Sequence, residues 1–551
     1  MAALRDGFSM YFLAVVFLLL GLTHSQVEEF PSADNFRRRS FHSATVLGDN
    51  LYILGGGASQ MSPRFSIPPS NKTLVIPLNE DWNAQTVNSK VQMIDNQKGF
   101  NIIRPALWPN GQENRIYSWG GGVRETYPLA NETLTNPTLR VFEKASPDGL
   151  YGTWSSDRTL PGDSKIKFTQ EGSWTSCNGL GFVFGGLTML NDGSRWRGTA
   201  SPGLVIYNMT SQTWRNESQV AKKVGRGPNA GNHARGNAVC LPEMGTQGKG
   251  IVVFIGGGRP DNSDARDIEP VPMDTVYFYD IGSNDLYSQK TTSEISTPVA
   301  RQYACAVAAK SSSTPSYEIF FFGGDGEKPA TTHVLTIPGF RWFNAGNTGA
   351  DNPQTRSNHA CVVGGKRQMI SVGGTQVVGG GEQWVGKDPW VNGIKVFDMV
   401  DLKWRNDYKS GAPDYESPAM IKKWYNEGNV AEWDSDAVKN LFTVAEATPP
   451  SPPGPNVGAI AGGVAAGWIV LTALVDGLVF WCNQRRRGRA GEAARLRDDQ
   501  AEEGARWDCD SSATLVNAGP PAEVYTMPTE LHNGVDLPHE LPANPPGKGH
   551  Y

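Results

Sequence analysis

The chain has 551 residues, 39% of them hydrophobic, and a formal net charge of −5 from 50 Lys/Arg against 55 Asp/Glu. This slight acidic excess lacks the basic footprint of nucleic-acid binding. Eight histidines and six cysteines, spread over the whole length with no C-x-x-C, argue against a Cys/His metal centre.

In chain order, Arg5 precedes an apolar run from Met10 to Leu22 and then Thr23-His24-Ser25, the pattern of a cleavable secretory signal over residues 1–25. From there to about residue 410, six glycine pairs recur: Gly55-Gly56, Gly120-Gly121, Gly185-Gly186, Gly256-Gly257, Gly323-Gly324 and Gly373-Gly374. Each closes a short apolar run such as Ile251-Val252-Val253-Phe254-Ile255, which reads as a strand buried on both faces. After a further apolar strand comes an aromatic residue: Trp82, Trp154, Trp214, Tyr287, Trp342 and Trp404. Repetition of a unit long enough for four strands predicts an all-β fold, a six-bladed β-propeller over residues 26–410. The glycines would let backbones converge, and the tryptophans would fill the space between neighbouring units.

These features resemble kelch repeats, and Arg39-Ser40-Phe41-His42 and Arg356-Ser357-Asn358-His359 resemble the polar start of the kelch strand. The second unit, Asn101 to Trp108, lacks the leading arginine. The stretches Arg37-Arg38-Arg39, Arg104-Pro105-Ala106-Leu107-Trp108-Pro109, Trp119-Gly120-Gly121 and Phe397-Asp398-Met399 look like fungal single-pass membrane proteins with a kelch ectodomain. The resemblance transfers no reaction. Copper radical oxidases share a kelch-type propeller, but they complete their copper site from a separate C-terminal β domain for which this chain has no room. No catalytic residue, metal ligand or cofactor is therefore expected, the alternatives to a binding role being an extracellular oxidoreductase of the galactose-oxidase type and a structural membrane-to-wall tether. Arg39, Arg235, Arg301, Arg356, His42 and His359 are expected to satisfy buried backbone groups between units.

Strand alternation places the long segments after the glycine pairs on one face, the default ligand surface. Arg124, Tyr127, Arg195, Trp196, Arg197, Arg259 and Trp384 supply guanidinium forks and aromatic plates there, suited to an extracellular glycan or protein ligand. Asn71, Asn131, Asn208 and Asn216 head glycosylation sequons. Cys177, Cys240, Cys305 and Cys361 fall in successive units three to six. Four cysteines allow three connectivities, and adjacency favours Cys177 with Cys240 and Cys305 with Cys361, buried free thiols being the alternative.

Residues 411–446 read as a short helical segment, with Met420, Ile421, Trp424 and Tyr425 at helical spacing and Ser435 placed to cap a second helix. A proline-rich stalk follows at 447–456. Residues 457–482 form a transmembrane candidate, with Val457 to Val475 free of charge and Arg485-Arg486-Arg487 just beyond. That order predicts a single-pass type I protein in the plasma membrane or another secretory-pathway membrane, its propeller outside or lumenal. Gly458, Gly462, Gly463 and Gly467 give two small-xxx-small spacings compatible with a homodimer in the bilayer. The tail, 483–551, carries eight Lys/Arg and eleven Asp/Glu with many prolines, and is expected to be disordered.

Overall fold

The structure is a computed structural model, and it describes residues 31–61, 70–96, 102–122, 139–157, 162, 165–191, 196–225, 227–262, 268–325, 331–346, 355–378 and 381–443. The signal segment, stalk, membrane candidate, tail, Asn131, Arg124, Tyr127 and Arg195 lie outside the described residues. Among those described, no helix is long and apolar enough to cross a membrane.

The described chain is mostly β, arranged as many small antiparallel sheets. Six four-stranded units succeed one another along it. The first comprises Phe36–Leu47, Asn50–Gln60, Lys72–Pro77 and Gln92–Asp95, and the second Ala106–Asn110, Arg115–Trp119, Leu139–Lys144 and Gly152–Asp157. The third begins with Ser173–Cys177 and Leu180–Phe184, the fourth with Asn237–Leu241 and Ile251–Ile255, the fifth with Cys305–Lys310 and Tyr317–Phe322, and the sixth with Ser357–Gly364 and Gln368–Val378. In every unit strands one to four pair in sequence order. The second strands are buried throughout, as in Ile251–Ile255 and Tyr317–Phe322, which is why their sequences are apolar on both faces rather than alternating.

Six large hydrophobic clusters hold the described units together, and each draws on two of them. Phe182 and Phe184 of the third sheet pack with Val252, Phe254 and Tyr279 of the fourth. Ile319 and Phe321 of the fifth pack with Val253 and Phe278 of the fourth. The sixth cluster joins Ile370 and Val396 of the last sheet to Leu51, Ile53 and Leu74 of the first.

At each seam the second glycine of a pair donates its N–H to a carbonyl of the next unit: Gly56 to Ile102, Gly121 to Thr169, Gly186 to His233, Gly257 to Arg301 and Gly324 to Arg356, all at 2.7–2.9 Å. Gly374 of the sixth unit pairs with Arg39 of the first. Both glycines of every pair have positive φ. A Cβ on Gly55 would lie 2.1 Å from the Ile102 carbonyl oxygen, and one on Gly185 would lie 2.0 Å from that of His233. A glycine is thus required by conformation and by space together.

Tryptophans fill these seams as their positions suggested, with one displacement. Trp154, Trp342 and Trp404 sit on outer strands in the inter-sheet clusters. Trp82, in contrast, precedes the outer strand of its sheet, on a two-residue strand paired with Asp407–Tyr408, where it stacks on Tyr408 at 4.9 Å. The 3₁₀ turn at Val87–Ser89 lengthens this connection, so the outer strand Gln92–Asp95 has no tryptophan.

Two disulfides join innermost strands of adjacent sheets: Cys177 to Cys240 and Cys305 to Cys361, with Cα–Cα separations of 5.4 and 5.6 Å. Residues 412–443 then pack back on the fifth unit. Glu318, fully buried, accepts from Tyr415 at 2.9 Å, Ser316 at 2.6 Å and Thr336 at 3.0 Å. Burial pushes its carboxyl above the usual range. The helix Ala419–Asn426 buries Ile421 but leaves Met420 exposed, and Asp436–Phe442, capped by the Ser435 hydroxyl, buries Val438, Leu441 and Phe442.

Candidate functional site

The first strands of all six units line one cavity of about 370 Å³. Six residues stand at one end of it, Arg104, Glu171, Arg235 and Tyr303 just before those strands and Phe41 and Asn358 within them. Each occupies the same place in its unit, two residues after the carbonyl that pairs with a glycine. All six are left-handed, with φ of 64, 49, 63, 60, 56 and 56°. Asparagine tolerates that region, but each of the other five accepts a cost of about 1 kcal/mol that glycine would avoid. What a glycine could not provide is the side chain.

Those side chains meet. Arg104 forms an ion pair with Glu171 and donates to the Asn358 side-chain oxygen at 2.7 Å. Its guanidinium lies 4.2 Å from the Phe41 ring centroid and 4.7 Å from that of Tyr303. Arg235 donates through Nε to Glu171 at 2.6 Å and through Nη1 to Gln302 at 3.2 Å, with Tyr303 at 5.0 Å from its guanidinium. The Tyr303 hydroxyl donates to Glu171 at 3.3 Å. Main-chain N–H groups continue round the same ring: Arg104 to Phe41, Arg235 to Glu171, Tyr303 to Arg235 and Asn358 to Tyr303. Asp325 stands close by, and burial raises its pKa against the pull of Arg235 and Arg104.

First strands begin where second strands end, so this mouth opens on the face from which the post-glycine segments emerge. Trp384 belongs to that face: its ring lies 5.7 Å from Phe41, and its carbonyl accepts from Ser59 at 2.7 Å. Arg259, however, is spent across a short hairpin, where both its Nη2 and Nε reach Glu269 at 3.0 and 3.3 Å. Trp196 and Arg197 lie on the strand Trp196–Ala200, paired with Leu187–Asn191. Asn71 is exposed, while Asn208 and Asn216 are half-buried and their side-chain oxygens accept from the backbones of Thr210 and Ser218.

The seam residues behave differently. Arg301 donates to the Gly323 carbonyl at 3.3 Å, and Arg356 forks onto Asp388 at 3.0 and 2.6 Å while also reaching Gly373. His42 bonds the Val372 carbonyl and His233 that of Gly256, both at 3.1 Å. Burial drives the imidazole pKa values of His42, His233 and His359 to about 3, 4 and 3. Arg235 departs from the expected grouping with Arg39, Arg301 and Arg356. His233 takes the seam position in its unit, and Arg235 lies two residues later, in the mouth. Among the described residues, one group of metal-capable atoms converges, Cys305, His359 and Cys361, and its two sulfurs are already joined to each other.

No family model matches the sequence. A kelch repeat-containing protein of Arthroderma benhamiae is 24% identical over an alignment of 537 residues, which covers 82% of this chain and 75% of that protein. The chain is a distant homologue of a fungal kelch repeat-containing protein. Its glycine-paired sheets are consistent with kelch repeats, and the mouth residues are what this chain places on them.

Proposed function

We propose that this is a single-pass type I membrane protein whose extracellular part is a closed six-bladed kelch propeller, working as a binding module and not as an enzyme. Its mouth face would engage an extracellular glycan or protein ligand. The observation that carries this reading is the ring itself: five residues of types that disfavour left-handed backbone hold it at equivalent positions, and their side chains converge on one opening.

Closure is supported by the glycine donations running from unit to unit and by the Gly374–Arg39 pair. An oxidising, secretory location is supported by the two disulfides. Membrane anchorage rests on the uncharged run Val457 to Val475 and the arginines after it. The oxidoreductase reading draws little support from the convergent Cys305, His359 and Cys361 found among the described residues, because the two sulfurs are spent in a disulfide.

Full-length protein in detergent micelles, screened against glycan and cell-surface protein arrays, tests the binding role. Retention of a defined glycan or protein is expected. Silence on both arrays would leave a purely structural membrane-to-wall tether, and peroxide production from a sugar alcohol would replace binding with catalysis. Glycosidase should shift the intact protein, and protease applied outside sealed cells should spare the tail.

A further inference from the structure

The cations of the mouth are more open to solvent than the anion that joins them: the side chains of Arg104 and Arg235 are 18% and 21% exposed, that of Glu171 only 6%. Glu171, Gln302 and the Tyr303 ring fix the plane of Arg235, whose Nη2 has no protein partner among the described residues. A guanidinium held in place with an edge toward solvent is prepared for an oxyanion, with little side-chain freedom left to lose. The charge of that anion is bounded by its surroundings. Two guanidiniums share Glu171, which leaves one positive charge for a monoanion, and the nearby Asp325 disfavours a phosphate dianion.

The ring also bears on the shape of the ligand. Main-chain N–H groups of Arg104, Arg235, Tyr303 and Asn358 are consumed around the ring, so four of its six positions offer no backbone donor to an extended peptide. A compact group presented end-on suits six converging side chains, with the Gln302 amide beside Arg235 to meet hydroxyls.

We propose that the mouth binds a hexuronate, an acidic sugar residue at the end of a glycan, with its carboxylate on the outward edge of Arg235. This rests on the binding role proposed above and names its ligand class. Calorimetric titration of the full-length protein in micelles with glucuronate, galacturonate, glucose and a tetraglutamate peptide provides the test. Uronates should bind at least tenfold more tightly than glucose and than the peptide.

Arg235→Gln should weaken uronate binding tenfold or more. Glu171→Gln, which removes a competing carboxylate, should tighten it severalfold, a gain that a misfolded variant cannot produce. Equal affinity for glucose and uronate, preference for the peptide, or indifference to both substitutions would each overturn the proposal. An array ligand that binds undiminished to Arg235→Gln would sink this inference while leaving the binding role standing.

Discussion

Arginines occupy two neighbouring places in the repeat, the seam position in units one, five and six and the mouth position in units two and four, and do opposite work there. The seam set, Arg39, Arg301 and Arg356, is at most 2% exposed, and Arg301 and Arg356 reach backbone carbonyls of glycine pairs. The mouth pair, Arg104 and Arg235, is several times more exposed and bonds side chains instead. A guanidinium that saturates carbonyls in a dry seam contributes to folding. One that borders solvent beside aromatic rings is available to a ligand. The same residue type thus divides into structural and functional roles by a shift of two positions in the strand start, and variants can test the division directly.

The largest effect should come from the seam. Arg356→Ala would leave Asp388, about 5% exposed, with Arg38 at 3.4 Å and the Trp390 N–H at 2.9 Å, and would strip a donor from the Gly373 carbonyl. Breaking a buried pair from one side costs about 3–5 kcal/mol. Chemical denaturation of the protein in micelles should show a loss of that order, and a change under about 1 kcal/mol would end the distinction between the two sets.

Next come the covalent seams. Cys177 and Cys240 close a loop of 63 residues, and Cys305 and Cys361 one of 56. Replacing either pair by serine should destabilise by about 2–4 kcal/mol. Free-thiol titration of the unfolded, unreduced protein should find Cys482 and Cys509 alone among the six.

The seam histidines predict a pH dependence. His42, His233 and His359 have folded pKa values of about 3, 4 and 3, below their ordinary 6.5. Between those limits the unfolded chain binds more protons, so their contribution is complete above about pH 6.5 and is lost as pH falls toward 3–4. Each histidine contributes a slope of up to about 1.4 kcal/mol per pH unit in that window. Glu318, with its raised pKa, acts with the opposite sign, its contribution being lost as pH rises. His42→Gln should flatten the acid limb, and an unchanged profile would mean that the imidazole is not neutral in the fold.

The unequal legibility of seam and mouth has a physical origin. Glycine pairs and tryptophans were readable because steric exclusion admits one residue type at Gly55 or Gly185, and because large aromatic area belongs in a seam. The disulfide partners followed from adjacency of units. Phe41, Arg104, Glu171, Tyr303 and Asn358 were not readable, because nothing in their identity repeats. What they share is backbone conformation and position. Counting back from the glycine pairs fails to align them, since the turn between strands one and two runs from two residues after Leu47 to nine after Leu241. Arg259 misled for another reason: its partner Glu269 lies ten residues away, and only the short hairpin brings them together.

The smallest expected effect is the most discriminating. Phe41 and Tyr303 sit at φ of 64 and 56°. Substituting glycine releases about 1 kcal/mol of backbone strain at each site while removing one ring beneath a guanidinium, a contact of about 0.5–1 kcal/mol where exposed. These terms nearly cancel at Phe41, so Phe41→Gly should change stability by less than about 1 kcal/mol in denaturant melts. Tyr303→Gly also loses a second guanidinium contact and the hydroxyl's bond to Glu171, and should cost about 1–2 kcal/mol. Ligand retention on the arrays should nevertheless fall, because Arg104 and, in the second variant, Arg235 lose the surface that holds their planes. If either variant were destabilised as strongly as Arg356→Ala, the ring would be a structural plug of the cavity, and the strained backbone would be maintained for folding rather than for binding.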